Sequence, residues 1–102
     1  MPETISSCEN EPECGGESVR IVCVLNEQGL HARPAARLAQ TAQKFDASIT
    51  IAMGSQSVDA KSILDILTLA AGHGANLELR AKGCDAGTAL ETLADLFKKR
   101  FQ

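Results

Sequence analysis

The spacing of apolar residues switches repeatedly between two and about 3.6 positions along residues 19–101, and this alternation restricts the fold more than any other feature. Alternating or β-branched segments predict strands, and the stripes of helical spacing between them predict helices. We predict strands at 19–25, 48–53, 56–59 and 75–82, and helices beginning near residues 33, 63 and 86. The order β-α-β-β-α-β-α favours an α+β fold in which three helices cover one face of a four-stranded, mostly antiparallel sheet.

The apolar faces of these elements indicate the core. The first strand leaves two alternatives open, because Ile21, Cys23 and Leu25 compete with Val22 and Val24 for the inward side. The other inward residues are Ile49, Ile51 and Met53, then Leu77, Leu79 and Ala81 on strands, with Ala35, Leu38, Ala39 and Ala42, then Ala86, Ala89, Leu90, Leu93, Phe97 and Phe101 on helices.

Two short segments are expected to fix helix ends. The second helix should run from Ile63 to Ala71 and stop at the run GHG, residues 72–74. We expect His73, in this run, to be an ordinary loop residue. Asp85 is a candidate N-cap for the last helix, because its carboxylate could accept hydrogen bonds from the first free N–H groups.

Negative charge is concentrated at the N-terminus. Residues 1–18 hold five acidic residues and no Lys or Arg, so we expect a disordered tail followed by one folded domain at 19–102. The whole chain has a net charge of −3 and three aromatic residues, none of them Trp or Tyr. This composition excludes a nucleic-acid binder, which needs a basic surface and stacking side chains.

No membrane segment and no metal site are expected. The chain has no apolar run near the ~18 residues that cross a bilayer and no leader-like N-terminus, so we predict a cytoplasmic protein without membrane insertion. Cys8, Cys14, Cys23 and Cys84 form no C-x-x-C unit, so we predict no metal, no cofactor and reduced thiols.

The run GLHARPA at residues 29–35 carries the candidate chemistry. His31 lies where a loop becomes a helix, and Pro34 suits the first helical turn, in which no amide donor is required. Free backbone N–H groups and the helix dipole favour an anion there, and Arg33 can reach a phosphate. The imidazole of His31 is a nucleophile at neutral pH. A polar surface histidine is the simpler alternative, but the combination suits one that accepts and releases a phosphoryl group.

This run resembles the phosphorylation site of the HPr family, the histidine-containing phosphocarriers of the bacterial phosphoenolpyruvate-dependent phosphotransferase system. The similarity continues through the run KSIL at residues 61–64 and covers about residues 19–101. It implies an open-faced β-sandwich and phosphorylation of His31 on Nδ1, with Arg33 helping to hold the phosphoryl group. It also implies that enzyme I is the donor and a IIA component the acceptor, so that the chain is a carrier and not an enzyme.

Ser62 has two compatible interpretations. Ser62 and Asp65 have the spacing of a helix-capping motif, which by itself explains a serine at this position. The resemblance adds that a serine kinase/phosphatase modifies the matching residue in some members of the family. A phosphoserine at a helix N-terminus would be electrostatically favourable.

The second predicted helix has more apolar surface than one sheet face can cover. Only Asp65 and Thr68 are polar between residues 63 and 71, so an exposed apolar patch is expected. In the family the corresponding residues dock enzyme I and IIA partners, and we assign that role to Ile63, Leu64 and Leu67. A patch that must stay free for successive partners predicts a monomer.

Several alternatives remain open at this point. The chain could belong to a nitrogen-linked branch of the family, because such paralogues share the His31 motif. Ala70, where many relatives have glycine, and Asp65, beside the docking patch, depart from the usual pattern. A regulator acting only through Ser62 would have no need of His31 with Arg33. A small α+β ligand-binding or metal-binding module would need a convergent ligand set that the sequence lacks.

Overall fold

The computed structural model describes residues 16–101 and has the predicted element order. Its four strands are β1 (Glu17–Cys23), β2 (Ser48–Met53), β3 (Gln56–Asp59) and β4 (Asn76–Lys82), and its three helices are α1 (Ala32–Ala42), α2 (Ile63–Thr68) and α3 (Ala86–Lys98). The strands form one sheet in the order β1-β4-β2-β3, and every neighbouring pair is antiparallel. This is the α+β, open-faced arrangement expected from the sequence.

The register of the central strand β4 decides which side chains enter the core. Leu79 lies opposite Arg20 of β1 and Ile51 of β2. Leu77, Leu79 and Ala81 are all buried on the face that the helices cover, as their alternation predicts. Helix α3 packs on β1 and β4, α2 packs on β3, and α1 packs against both other helices.

The structure decides the open question about the first strand. Val22 and Val24 point inward and are 7% and 0% exposed, whereas Ile21 is 65% exposed on the uncovered face. The other predicted inward residues are buried, except that Met53 is only partly buried against the core. Aliphatic side chains and Phe97 therefore fill the space between the sheet and the helices.

Helix α2 is shorter than predicted, ending at Thr68 and not at Ala71. Ala70 has φ of +52°, a left-handed conformation that cannot continue a right-handed helix. The chain consequently turns away two residues before the glycine run that was expected to stop it. His73 lies in the turn that follows, as predicted.

Asp85 takes the predicted N-cap position, but its side chain bonds to a different part of the chain. Asp85 occupies the N-cap position of α3, but its carboxylate makes no hydrogen bond to that helix. It accepts instead from the N–H groups of Asp46 and Ala47, at 2.9 and 2.8 Å. The bond from Asp46 is the largest influence holding the pKa of Asp85 below its usual value. Asp85 thus ties the start of α3 to the loop before β2.

The N-terminal boundary also differs from the prediction. Strand β1 begins at Glu17, so residues 17 and 18 belong to the sheet and not to a tail. The rest of the predicted tail, residues 1–15, lies outside the described residues, as does residue 102.

One cysteine corrects the expectation of reduced thiols. Cys84 is disulfide-bonded, whereas Cys23 is free and partly buried. Over residues 16–101 there is no cluster of three or more His, Cys, Asp or Glu side chains that could bind a metal ion. No helix in the described part of the chain has the length and apolar character needed to cross a membrane.

Candidate functional site

His31 lies at the N-cap position of α1, with an extended backbone. Its carbonyl oxygen accepts the first helical hydrogen bond, from the N–H of Ala35 at 3.0 Å. Its side chain is exposed and makes no capping hydrogen bond. The imidazole is therefore free to react with a group that arrives from solvent.

The first turn of α1 places backbone donors beside this imidazole. The N–H groups of Ala32 and Arg33 have no acceptor among residues 16–101, and Pro34 has no N–H to leave unpaired. The helix is 11 residues long, so its dipole adds partial positive charge at the same end. A negatively charged group next to His31 would find both donors and a favourable field.

The loop before His31 is held against the segment that follows α2. The N–H of Leu30 donates to the carbonyl of Ala71 at 2.9 Å, and the Leu30 side chain is 4% exposed. Gly29 has φ of +73°, and a Cβ at this position would overlap the Ala71 carbonyl oxygen. Glycine is therefore required at residue 29 both for its conformation and for the close approach. This packing fixes the position from which His31 projects.

His31 and Arg33, the two residues predicted to handle a phosphoryl group, line one shallow cavity of about 210 Å³. Pro34, which is buried, also lines this cavity. Three further residues complete the lining and were not expected from the sequence: Asn26, Arg100 and Phe101.

Asn26 joins the His31 loop to the end of the chain. Its Nδ2 donates to the carbonyl oxygen of Arg100 at 3.0 Å, across 74 positions in sequence. Its Oδ1 is buried and has no partner among the described residues. Phe101 packs edge-on against Phe97, with ring centroids 4.9 Å apart. The spacing of Phe97 and Phe101 was visible in the sequence, but nothing local indicated that the residue between the stripe positions, Arg100, meets Asn26.

Ser62 caps α2, as its spacing from Asp65 predicts. The Ser62 hydroxyl oxygen accepts from the N–H of Asp65 at 3.3 Å. The Asp65 carboxylate does not return a bond to residue 62, and instead accepts weakly from the N–H of Asp59 at 3.4 Å. Ser62 is partly buried and does not line the His31 cavity.

The predicted apolar patch on α2 is present. Leu64 is 75% exposed, and Ile63 and Leu67 are each 36% exposed. Ile66, on the opposite side of the same helix, is fully buried and anchors α2 to the core. We call Ile63, Leu64 and Leu67 the α2 patch. Because α2 leads through Leu69 to Ala71, the patch and the His31 loop are joined by a short, well-packed segment.

Comparison with known proteins places this chain in a family. Residues 19–99 match the family described as "PTS HPr component phosphorylation site". The phosphocarrier protein HPr of Treponema pallidum is 43% identical over 84 residues, which cover 82% of this chain and 96% of that protein. The phosphocarrier protein NPr of Shewanella violacea is also 43% identical, over 82 residues that cover 80% of this chain and 90% of that protein.

The fold agrees with the sequence matches. A crystal structure of HPr from Thermoanaerobacter tengcongensis superposes with a TM-score of 0.80 at 38% identity, covering 82% of this chain and 94% of that one. The chain belongs to the HPr family of the phosphotransferase system.

Proposed function

We propose that this chain, as a member of the HPr family, is a phosphocarrier that takes a phosphoryl group from enzyme I on His31 and passes it to a IIA component. In the first transfer the Nδ1 lone pair forms a bond to phosphorus while the bond between phosphorus and the donor breaks. In the second transfer the P–N bond of His31 breaks in favour of the acceptor. The chain is thus a substrate of its partners and not an enzyme.

The observation that carries the proposal is that the His31 side chain is exposed and makes no hydrogen bond to the start of α1. Its imidazole is exposed and uncommitted, while the neighbouring N–H groups of Ala32 and Arg33 lack acceptors in the described part of the chain. A histidine with only a structural role at a helix start would be expected to cap the helix or to pack. Here the imidazole faces solvent at a point where an anion is favoured.

Arg33 supports the phosphoryl group in this proposal. It lines the same cavity as His31, and it has no carboxylate partner among residues 16–101. Its guanidinium can therefore donate to phosphoryl oxygens without first losing an ion pair.

The α2 patch serves as the docking surface. Enzyme I and a IIA component would bind in turn over Ile63, Leu64 and Leu67. The apolar side chains of these residues are exposed to solvent in the free protein. Because the patch must remain free for successive partners, we expect the carrier to act as a monomer.

Ser62 is a proposed regulatory site for a serine kinase/phosphatase. Phosphorylation would replace the hydroxyl that accepts from Asp65 N–H and would bring a second negative group beside the Asp65 carboxylate. The modified residue lies next to Ile63 and Leu64, where a dianion would oppose an apolar partner. ATP-dependent labelling by such a kinase should be lost in Ser62→Ala, and label surviving on another residue would reject the assignment.

Labelled phosphoenolpyruvate and enzyme I test the carrier function. The unaltered chain should gain label that is stable in base and lost in acid, and His31→Ala should gain none. His73→Ala is the matched control, because His73 is the second of the two histidines and lies in an exposed loop. It should be labelled as fast as the unaltered chain. Label that persists in His31→Ala would refute the proposal.

A nitrogen-linked phosphocarrier is the second candidate. The NPr of Shewanella violacea is as similar to this chain as the HPr of Treponema pallidum, at 43% identity. The two functions share His31 and differ in their partners. Parallel transfer assays with the enzyme I and IIA proteins of the sugar-linked and nitrogen-linked systems distinguish them by the ratio of initial rates.

A further inference from the structure

A second arginine shares the surroundings of His31. Arg100 lines the cavity that holds His31 and Arg33, and it also lines an adjoining cavity of about 290 Å³ that includes His31 and Glu27. Neither Arg33 nor Arg100 is ion-paired with a carboxylate in residues 16–101. The chain as a whole has a net charge of −3, but two unpaired arginines beside one imidazole create a local excess of positive charge. This charge would attract an anion.

The backbone that presents Arg100 is held in an unfavourable conformation. Arg100 and Phe101 have φ of +55° and +63°, although neither is glycine. Three contacts maintain this turn: the bond from Asn26 Nδ2 to the Arg100 carbonyl, the bond from Phe101 N–H to the Leu96 carbonyl at 2.8 Å, and the packing of Phe101 on Phe97. With the bond from Arg100 N–H to the Phe97 carbonyl at 3.2 Å, the bond to Leu96 forms the usual C-terminal cap of a helix, so this turn ends α3 and fixes where Arg100 lies.

We propose that Arg100 is a second phosphoryl-binding residue, which acts with Arg33 on the group carried by His31. The inference rests on the proposed function and extends it to the end of the chain. Asn26 is the positioning residue, because its bond to the Arg100 backbone holds the last turn against the His31 loop. Arg33 and Arg100 would approach the phosphoryl oxygens from different elements. Among residues 16–101, Glu27 is the one acidic residue that lines either cavity.

The phosphoryl group itself provides the readout. Potassium phosphoramidate phosphorylates imidazole without a partner protein: a P–N bond to the histidine forms, the P–N bond of the reagent breaks, and ammonia leaves. His73→Gln serves as the background, so that His31 is the one histidine available. The ³¹P chemical shift is then followed against pH through the second ionisation of the phosphoryl group.

A nearby guanidinium favours the dianion, so its removal should raise the pH at which the second proton is lost. Arg100→Ala should raise that midpoint by roughly 0.2–0.7 pH unit, a size set by an exposed ion pair. Arg100→Lys should lie between the two values. Lys99→Ala is the control, because it removes the same charge one residue earlier, from a side chain paired with Asp95 at 2.9 Å and outside both cavities. It should leave the midpoint unchanged.

A second measurement does not need phosphohistidine. Titration of the unmodified chain with inorganic phosphate, followed through the amide resonances of residues 29–33, should give an affinity that Arg100→Ala lowers about two- to fivefold. Asn26→Ala should lower it too, although it keeps both arginines, because the last turn is released. Lys99→Ala should not.

The outcomes separate the two proposals. If the His73→Gln chain forms no phosphohistidine while phosphate binding still depends on Arg100, the carrier function fails and the anion site stands. If phosphohistidine forms and Arg100→Ala matches Lys99→Ala in both measurements, the carrier function stands and the role of Arg100 is overturned.

Discussion

The N–H of Leu30 donates a hydrogen bond of 2.9 Å to the carbonyl of Ala71, and this bond joins the loop that carries His31 to the segment that follows α2. Gly29 lies so close to the same carbonyl that no side chain fits between them. The loop that carries His31 and the segment that follows the α2 patch therefore form one packed unit. Under the proposed function, a partner that binds the patch would meet the imidazole at a fixed position.

Gly29→Ala should destabilise the protein strongly. The substitution places a Cβ against the Ala71 carbonyl and forces alanine to φ of +73°, so the free energy of unfolding should fall by about 2–3 kcal/mol. Gly54→Ala is the control, because φ there is +61° but no atom lies within 4 Å of the added Cβ. It should cost about 1 kcal/mol. Urea denaturation of both variants measures the difference, and equal losses would show that the contact with Ala71 is unimportant.

Ala70→Gly should stabilise the protein. Ala70 is exposed and has φ of +52°, so glycine removes backbone strain without removing a core contact. We expect a gain of about 0.5–1 kcal/mol in the free energy of unfolding. Ala36→Gly, within the right-handed helix α1, should change stability by a similar amount in the opposite direction. A loss of stability in Ala70→Gly would contradict the assigned conformation.

Asp85→Asn should lower stability at neutral pH more than at low pH. The pKa of Asp85 is lowered in the folded state by hydrogen bonds from the Asp46 and Ala47 N–H groups. A carboxyl group with a lowered folded pKa stabilises the fold above its unfolded pKa, and that contribution disappears as pH falls through the folded pKa. The difference in unfolding free energy between the two proteins should thus be present at pH 7 and shrink as the pH falls below 3.8, the usual pKa of an aspartate.

Thermal or urea unfolding from pH 7 to pH 2.5 checks this expectation for Asp85. Glu91→Gln removes the same charge from an exposed position on α3 and is the control. A pH-independent difference between the Asp85→Asn variant and the unaltered chain would show that the two backbone hydrogen bonds do not depend on the charge.

Leu64→Glu should leave the fold intact and slow phosphoryl exchange with enzyme I. Leu64 is 75% exposed, so little core packing is lost, but a carboxylate in the α2 patch must be desolvated when an apolar partner binds. We expect the loss to appear mainly in KM and to reach about tenfold. Ile21→Glu is the control, because Ile21 is 65% exposed on the uncovered face of the sheet, away from α2. Equal exchange rates for the two variants would argue against docking through α2.

Local pattern was sufficient to predict the sheet and most of the core. Alternation identified Leu77, Leu79 and Ala81 as buried. Every second side chain of a strand points to the same face, and the helices cover only one face of this sheet. The placement of His31 and Arg33 at the start of α1 also followed from local residues, because loop, histidine and proline all lie within one run.

The features that were missed depend on contacts between distant residues. Asn26 and Arg100 are 74 positions apart, so no periodicity could indicate that they meet. Asp85 had the expected position and a different partner, because the N–H groups of Asp46 and Ala47 lie closer to its carboxylate than those of α3. Ala70 adopts a left-handed conformation that alanine disfavours. Helix propensity alone would place this alanine within α2.

The central claim is that His31 carries the phosphoryl group, and the most direct test is NMR of the intact chain after reaction with enzyme I and phosphoenolpyruvate. With ¹⁵N-labelled histidine, phosphorus–nitrogen coupling identifies both the residue and the ring nitrogen that is modified. We predict one modified nitrogen, Nδ1 of His31, with the imidazole of His73 unchanged. A phosphoryl group on His73, on a serine, or on no residue while enzyme I remains active on another carrier would contradict the account.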